Sequence, residues 1–137
     1  MDAEVIFNGA LVAPQWQREF VISDDEIRAF ATHIRDFNPV HHDTEAAHAA
    51  GFLGIIAPGV MTMGYLSATI AEQIPGVIIR RIEIDFSKPF YGVSIPNVAC
   101  TLVSQRGRVA KVDFVIKNWL EPVAKGSCVL ILPQKAA

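Results

Sequence analysis

The sequence predicts an α+β fold in which an antiparallel sheet wraps around one central apolar helix. Three observations lead there. The segment VMTMGYLSATIAEQI, residues 60–74, carries Val60, Met61, Met63, Tyr65, Leu66, Ala68 and Ile70 and leaves no polar face; a helix that is apolar all round is a buried helix. The chain then changes period. In RRIEIDFSKPF, residues 80–90, Ile82, Ile84 and Phe86 alternate with Arg81, Glu83 and Asp85, as on the two faces of a strand. Further β-rich segments succeed one another through short links, which favours antiparallel pairing.

The elements can be justified in order. SDDEIRAFATHIRDF, residues 23–37, opens with a capping box, Ser23 and Glu26, and places Asp24 and Asp25 at the positive helix end. Ile27, Phe30, Ala31 and Ile34 recur at helical spacing and form its apolar face. His33 is expected to be a partly buried, satisfied histidine on this helix. Pro39 biases Asn38 away from helical geometry, so the helix stops before it. Asp43 is placed to cap a second short helix, TEAAHAA, which Gly51 ends. The central helix comes after GFLGIIAPG and is ended by Pro75 and Gly76. Strand segments NVACTLVSQ, RVAKVDFVIKNW and GSCVLIL complete the chain, with turns expected at Arg106-Gly107 and Glu121-Pro122.

The whole chain narrows the class. Its 137 residues suit one domain spanning 1–137. Hydrophobic residues are 51% and charged ones 19%, and the mean hydropathy is +0.32. That excess of apolar surface points to a homodimer or higher oligomer, because exposed apolar patches mark interfaces. No membrane span is expected: the weakly polar stretch 51–71 is broken by Pro58 and four glycines. A net charge of −2 without a basic stripe argues against a nucleic-acid partner. MDAEVIFNGA lacks the pattern of a secretion signal, and Cys100 and Cys128 read as reduced, packed thiols. The expected location is cytoplasmic.

The densest chemistry is DFNPVHHD, residues 36–43. Asp36 and His41 are five apart, so a continuous helix would separate them; a break at Asn38-Pro39 lets both side chains converge. Such a pair suits proton transfer, with imidazole as the group that changes charge near neutrality. Capping and turn chemistry explains the same residues, and the residues by themselves leave both readings open. His42 and Asp43 read as structural. A metal set drawn from His41, His42, Asp43 and His48 is disfavoured, because adjacent histidines rarely reach one ion and helical H-x-x-x-H spacing is absent. In IAPGVMTMG, the N–H groups of Gly59 and Val60 lack partners if Pro58 occupies the first helical position. They either stabilise a negative carbonyl oxygen or belong to a glycine needed for packing.

The succession of a helix, DFNPVHHD, a short helix, GIIAPGVMTMG and IDFSKPFYGV resembles the MaoC-like family of hot-dog-fold hydratases and dehydratases. These include (R)-specific enoyl-CoA hydratases and the β-hydroxyacyl dehydratases of fatty-acid synthesis. The resemblance covers nearly the whole chain. It implies a hot-dog fold and reversible addition of water to a trans-2-enoyl thioester. By the same resemblance, Asp36 and His41 hold and activate the water, and Asn38 shapes the turn and is counted with Gly59 and Val60 among the oxyanion and substrate-binding residues. A backbone N–H at Gly59 or its neighbour Val60 contacts the thioester carbonyl, and FSKPF matches the family's F-x-x-P-like stretch. The chain departs from the family at Arg35, where a small residue is usual.

The implied substrate is an acyl thioester; CoA or the pantetheine arm of an acyl carrier protein enters only as part of it. No metal and no other cofactor is implied. Met61, Met63, Tyr65 and Leu66 are either an acyl tunnel or core. Two alternatives accompany the hydratase: a dehydratase acting on carrier-protein substrates in fatty-acid or polyketide synthesis, and a non-catalytic subunit that binds acyl thioesters.

Overall fold

The computed structural model describes residues 14–92 and 94–134. The stretch MDAEVIFNGA, in which no secretion signal is expected, lies outside them. The elements run β1 (Gln15–Glu19), α1 (Asp24–His33), a 3₁₀ turn (Pro39–His41), α2 (Thr44–Ala49), α3 (Gly59–Gln73), β2 (Ile78–Phe86), β3 (Pro96–Arg106), β4 (Val109–Asn118) and β5 (Glu121–Ile131). The strands form one five-stranded sheet in the order β1-β3-β4-β5-β2, with every neighbouring pair antiparallel. This is the expected antiparallel sheet packed on the apolar helix.

The core lies between α3 and one face of the sheet. Leu66, Ile70 and Ile74 meet Val98 and Cys100 of β3, Val112, Phe114 and Ile116 of β4, and Cys128 and Leu130 of β5. Alternation does the sorting: along β4, buried Ala110, Val112, Phe114 and Ile116 interleave with exposed Val109, Lys111 and Asp113. A second cluster of Ile22, Ile27, Ile55 and Met61 ties α1 to the first turn of α3. That cluster sets the position of DFNPVHHD relative to the helix start.

Several expectations need correction. The central helix is buried on one face only: Val60 is 58% exposed and Gly64 and Ala71 face outward, because one sheet can cover only one side of a helix. Ile34 is the C-cap of α1, not part of its buried face, and His33 is exposed. Strand β1 was not foreseen; QWQRE holds a single apolar residue, and only its pairing with β3 makes it a strand. The last hairpin turns at Trp119-Leu120, two residues before Glu121-Pro122, with Trp119 in the left-handed region at φ 56°. Finally, β2 pairs with β5, not with β3, its successor in sequence.

Candidate active site

The end of α1 is a Schellman motif. Asp36 N–H donates to Ala31 O at 2.8 Å and Arg35 N–H to Thr32 O at 3.0 Å. The left-handed position falls on Arg35, at φ 60°. Helix α2 ends the same way, with Phe52 N–H on Ala47 O and Gly51 N–H on His48 O, and there glycine takes the left-handed residue at φ 92°. Each motif reverses the chain sharply, and the first one aims Asp36 back toward the 3₁₀ turn.

Between the two helices, side chains build the bend. The Asp36 Oδ1 accepts the Asn38 N–H at 3.2 Å, and the Asn38 Oδ1 accepts the Val40 N–H at 3.3 Å. Asn38 thus caps the 3₁₀ turn, and Pro39 takes its first position. The segment before α3 is then stitched to this turn by a reciprocal pair. Ile56 N–H donates to Val40 O at 3.1 Å, and the His41 Nδ1 lies 2.7 Å from Ile56 O.

Asp36 and His41, which a continuous helix would have kept apart, do converge: His41 Nε2 is 3.4 Å from Asp36 Oδ2. A carbonyl oxygen only accepts, so His41 Nδ1 carries the proton in its bond to Ile56. The Nε2 of the neutral ring is therefore an acceptor facing a carboxylate oxygen. Two acceptors this close need a proton between them or a water that donates to both. His41 is 8% exposed, whereas Asp36 is half-buried and open on one side.

His42 and Asp43 have structural partners. His42 Nε2–H donates to Asp36 O at 2.7 Å, and His42 O accepts Arg28 Nε–H at 2.9 Å. Asp43 caps α2 by accepting the Glu45 N–H at 3.0 Å. His48 turns to Leu53 O. Among the described residues no three His, Cys, Asp or Glu side chains are gathered to hold a metal ion.

At the start of α3, Pro58 is the N-cap and Gly59 the first helical residue, one position later than expected. Met61 N–H donates to Pro58 O. Among the described residues the N–H groups of Gly59 and Val60 have no acceptor. Gly59 also meets a packing demand: a β-carbon there would lie 3.1 Å from the ring of Phe86, at the end of β2. Beside it opens a cavity of ≈ 380 Å³ lined by Phe52, Ile56, Gly59, Thr62, Phe86 and Phe90 among others. Asp36 and His41 do not line it; Ile56 and Gly59 join the two regions. The supposed tunnel residues fall elsewhere: Met61 and Leu66 are buried in the two core clusters, against which Tyr65 packs, and Met63 is half-buried.

Ile56 went unassigned in the sequence, and Phe86 was read only as the start of the F-x-x-P-like stretch. Ile56 acts through its carbonyl and has no side-chain signature. Phe86 reaches the helix start only through tertiary packing, and Thr62 shares the helix with Gly59 but meets the cavity only once the neighbouring segments have packed.

The class is thus a hot-dog fold with an Asp–His pair beside the open start of its central helix. The chain belongs to the family described as MaoC like domain, which matches residues 12–117. An (R)-specific enoyl-CoA hydratase of Rhodospirillum rubrum is 30% identical over 96 residues, 69% of this chain and 65% of that protein. A mitochondrial 3-hydroxyacyl-[acyl-carrier-protein] dehydratase of Solanum lycopersicum is 32% identical over 69 residues. That match covers 50% of this chain and 42% of the tomato protein, so the chain spans less than half of that relative. The (R)-hydratase from A. caviae involved in PHA biosynthesis shares the fold at a TM-score of 0.83, with 23% identity over 90% of this chain and 97% of that one.

Proposed function

We propose that this chain is a hydro-lyase that reversibly adds water to a trans-2-enoyl thioester, giving a 3-hydroxyacyl thioester. The observation that carries the reading is the facing of His41 Nε2 and Asp36 Oδ2 at 3.4 Å, with His41 Nδ1 tied to Ile56 O. A water donating to both acceptors presents its oxygen lone pairs outward, ready to attack C3 of the enoyl group. The pair takes its proton, and a proton is returned at C2. Addition at C3 puts negative charge on the thioester oxygen, and the free N–H groups at Gly59 and Val60 suit that charge, reinforced by the positive helix end. The role of Asn38 is to hold the bend. No metal or redox group is invoked, and CoA or a carrier-protein pantetheine arm belongs to the substrate.

The active unit in this reading is a homodimer of single-domain chains. Ile34, Phe37, Val60 and Phe86 are exposed apolar residues of the α1–α3 connection, the helix start and the end of β2, and β2 is an edge of the sheet. Covering them removes apolar area from water. A dehydratase working on acyl-carrier-protein substrates is the second reading, favoured by the tomato relative.

The test is loss of enoyl absorbance with a short-chain enoyl-CoA and with the matching carrier-protein thioester. Asp36→Asn and His41→Ala are expected to lower kcat by roughly 10²- to 10⁴-fold each while the circular dichroism spectrum is kept. Wild-type protein inert on both carriers across several chain lengths, or full turnover in either variant, sinks the reading.

A further inference from the structure

Helix α3 carries two buried threonines, and they treat their hydroxyls differently. Thr69, 2% exposed, donates Oγ1–H to Tyr65 O at 2.8 Å, the usual way a threonine inside a helix satisfies itself. Thr62 is also 2% exposed, yet among the described residues its hydroxyl has no hydrogen-bond partner. It lines the cavity at the helix start instead. Among the described residues the fully buried side-chain atoms without a partner are Trp16 Nε1 and Asn118 Oδ1; the Thr62 hydroxyl is not one of them and stays reachable from the cavity, whose walls are mainly apolar, with Phe52, Ile56, Phe86 and Phe90 beside Ser87 and Lys88. The hydroxyl's partner comes from the cavity, as water or as a bound group.

Thr62 is three residues after Gly59, so the two share one face of the helix. A helical Cα–Cβ bond leans toward the N-terminus, which carries the Thr62 hydroxyl toward the turn where the Gly59 N–H is free. Both line the same cavity. A side-chain donor and a backbone donor thus face one cavity.

We propose that Thr62 contacts the substrate, its hydroxyl donating a hydrogen bond to the thioester carbonyl oxygen beside the Gly59 N–H. This rests on reading the chain as an enzyme of acyl thioesters. It adds a second donor for the oxygen that becomes negative as water adds. It also places the thioester in the cavity beside Ile56, whose carbonyl oxygen holds His41.

Thr62→Val removes the hydroxyl and keeps the branched shape; Thr62→Ser keeps the hydroxyl. Both are compared with wild type for enoyl-CoA hydration, for thermal midpoint, and for affinity toward butyryl-CoA, a saturated thioester that cannot be hydrated. Thr62→Val is expected to lose about 10²-fold in kcat/KM, with kcat falling in step, and to bind butyryl-CoA more weakly. Its midpoint should equal or exceed that of wild type, since no internal hydrogen bond is lost. Thr62→Ser should stay within a few-fold of wild type. Wild-type turnover and binding in Thr62→Val overturn the proposal, as does a lowered midpoint with activity lost equally in Thr62→Ser. Should wild type hydrate no enoyl thioester, the hydratase reading fails by itself and butyryl-CoA decides for Thr62: weaker binding by Thr62→Val upholds the contact, and unchanged or absent binding rejects it.

Discussion

The imidazole of His41 donates its Nδ1–H to the carbonyl oxygen of Ile56 at 2.7 Å. The bond crosses from the 3₁₀ turn to the segment that leads into α3, so it joins the Asp–His pair to the helix start. It also decides which ring nitrogen is left to face Asp36. One side chain thus has one nitrogen bonded to the backbone and another facing Asp36, and substitution can separate them.

Asparagine places an amide N–H where Nδ1 stands and nothing where Nε2 stands. His41→Asn is therefore expected to keep the bond to Ile56, and His41→Ala to lose it. In urea unfolding His41→Asn should be more stable than His41→Ala by about 1 kcal/mol, the usual net worth of such a bond. Both should lack hydratase turnover. Equal stability of the two variants would mean that the Ile56 contact does not hold the loop.

Arg35 occupies the left-handed residue of a Schellman motif at φ 60°, a conformation costing most L-residues about 1–2 kcal/mol. Glycine accepts it without that strain but gives up more chain entropy. Arg35→Gly is expected to raise stability by a net of about 0.5–1 kcal/mol, read as a higher midpoint in urea. A lower midpoint would show that the Arg35 side chain stabilises more than its backbone costs.

Two glycines are expected to answer oppositely to alanine. A β-carbon on Gly126 would lie 1.8 Å from Glu83 O on the neighbouring β2 strand, so backbone must move. Gly126→Ala should cost about 3 kcal/mol or more, seen as unfolding at lower denaturant or loss of soluble protein. Gly64 lies inside α3 with nothing within 4 Å of its β-carbon position, and Gly64→Ala should stabilise by about 0.5–1 kcal/mol.

Cys100 and Cys128 are free thiols on the inner face of the sheet, each 1% exposed. Burial pushes both up from 9 to about 12, with Cys128 adding to the shift of Cys100. The folded state therefore keeps protons that the unfolded chain releases. Between pH 9 and about 12 the unfolded state binds fewer of them, so this share of the stability is present below pH 9 and lost as pH rises through that window. Urea midpoints measured from pH 8 upward should fall more steeply for wild type than for a Cys100→Ala, Cys128→Ala variant. Native protein near pH 8 should resist thiol alkylation until it unfolds.

Much of the fold was legible because its signals are local. Ser23 and Asp43 cap the helices that the sequence assigns to them, each accepting a backbone N–H from the first turn. Alternation in residues 108–119 marks the inner face of β4 because side chains on a strand alternate whatever the partner is. Strand β1 was not legible, since its residues become a strand only by pairing with Asn97 to Thr101. Nor was the exposed side of α3: apolar composition says that a helix avoids water, not how many of its sides the same chain covers.

The site divides along the same line. Residue type and spacing by themselves determined where DFNPVHHD bends and which of its residues cap the following turns, because capping and proline geometry act within a few residues. Only the tertiary structure decided that His41 Nδ1 is spent on Ile56 O, that Nε2 is left for Asp36, that Phe86 lies over Gly59, and that Thr62 alone of the two buried α3 threonines has an unpartnered hydroxyl. Those facts depend on which distant segments meet. Hydrogen bonds and ring contacts act over a few ångströms, and nothing in the spacing of residues 41, 56, 62 and 86 states how far apart they lie once the chain has folded.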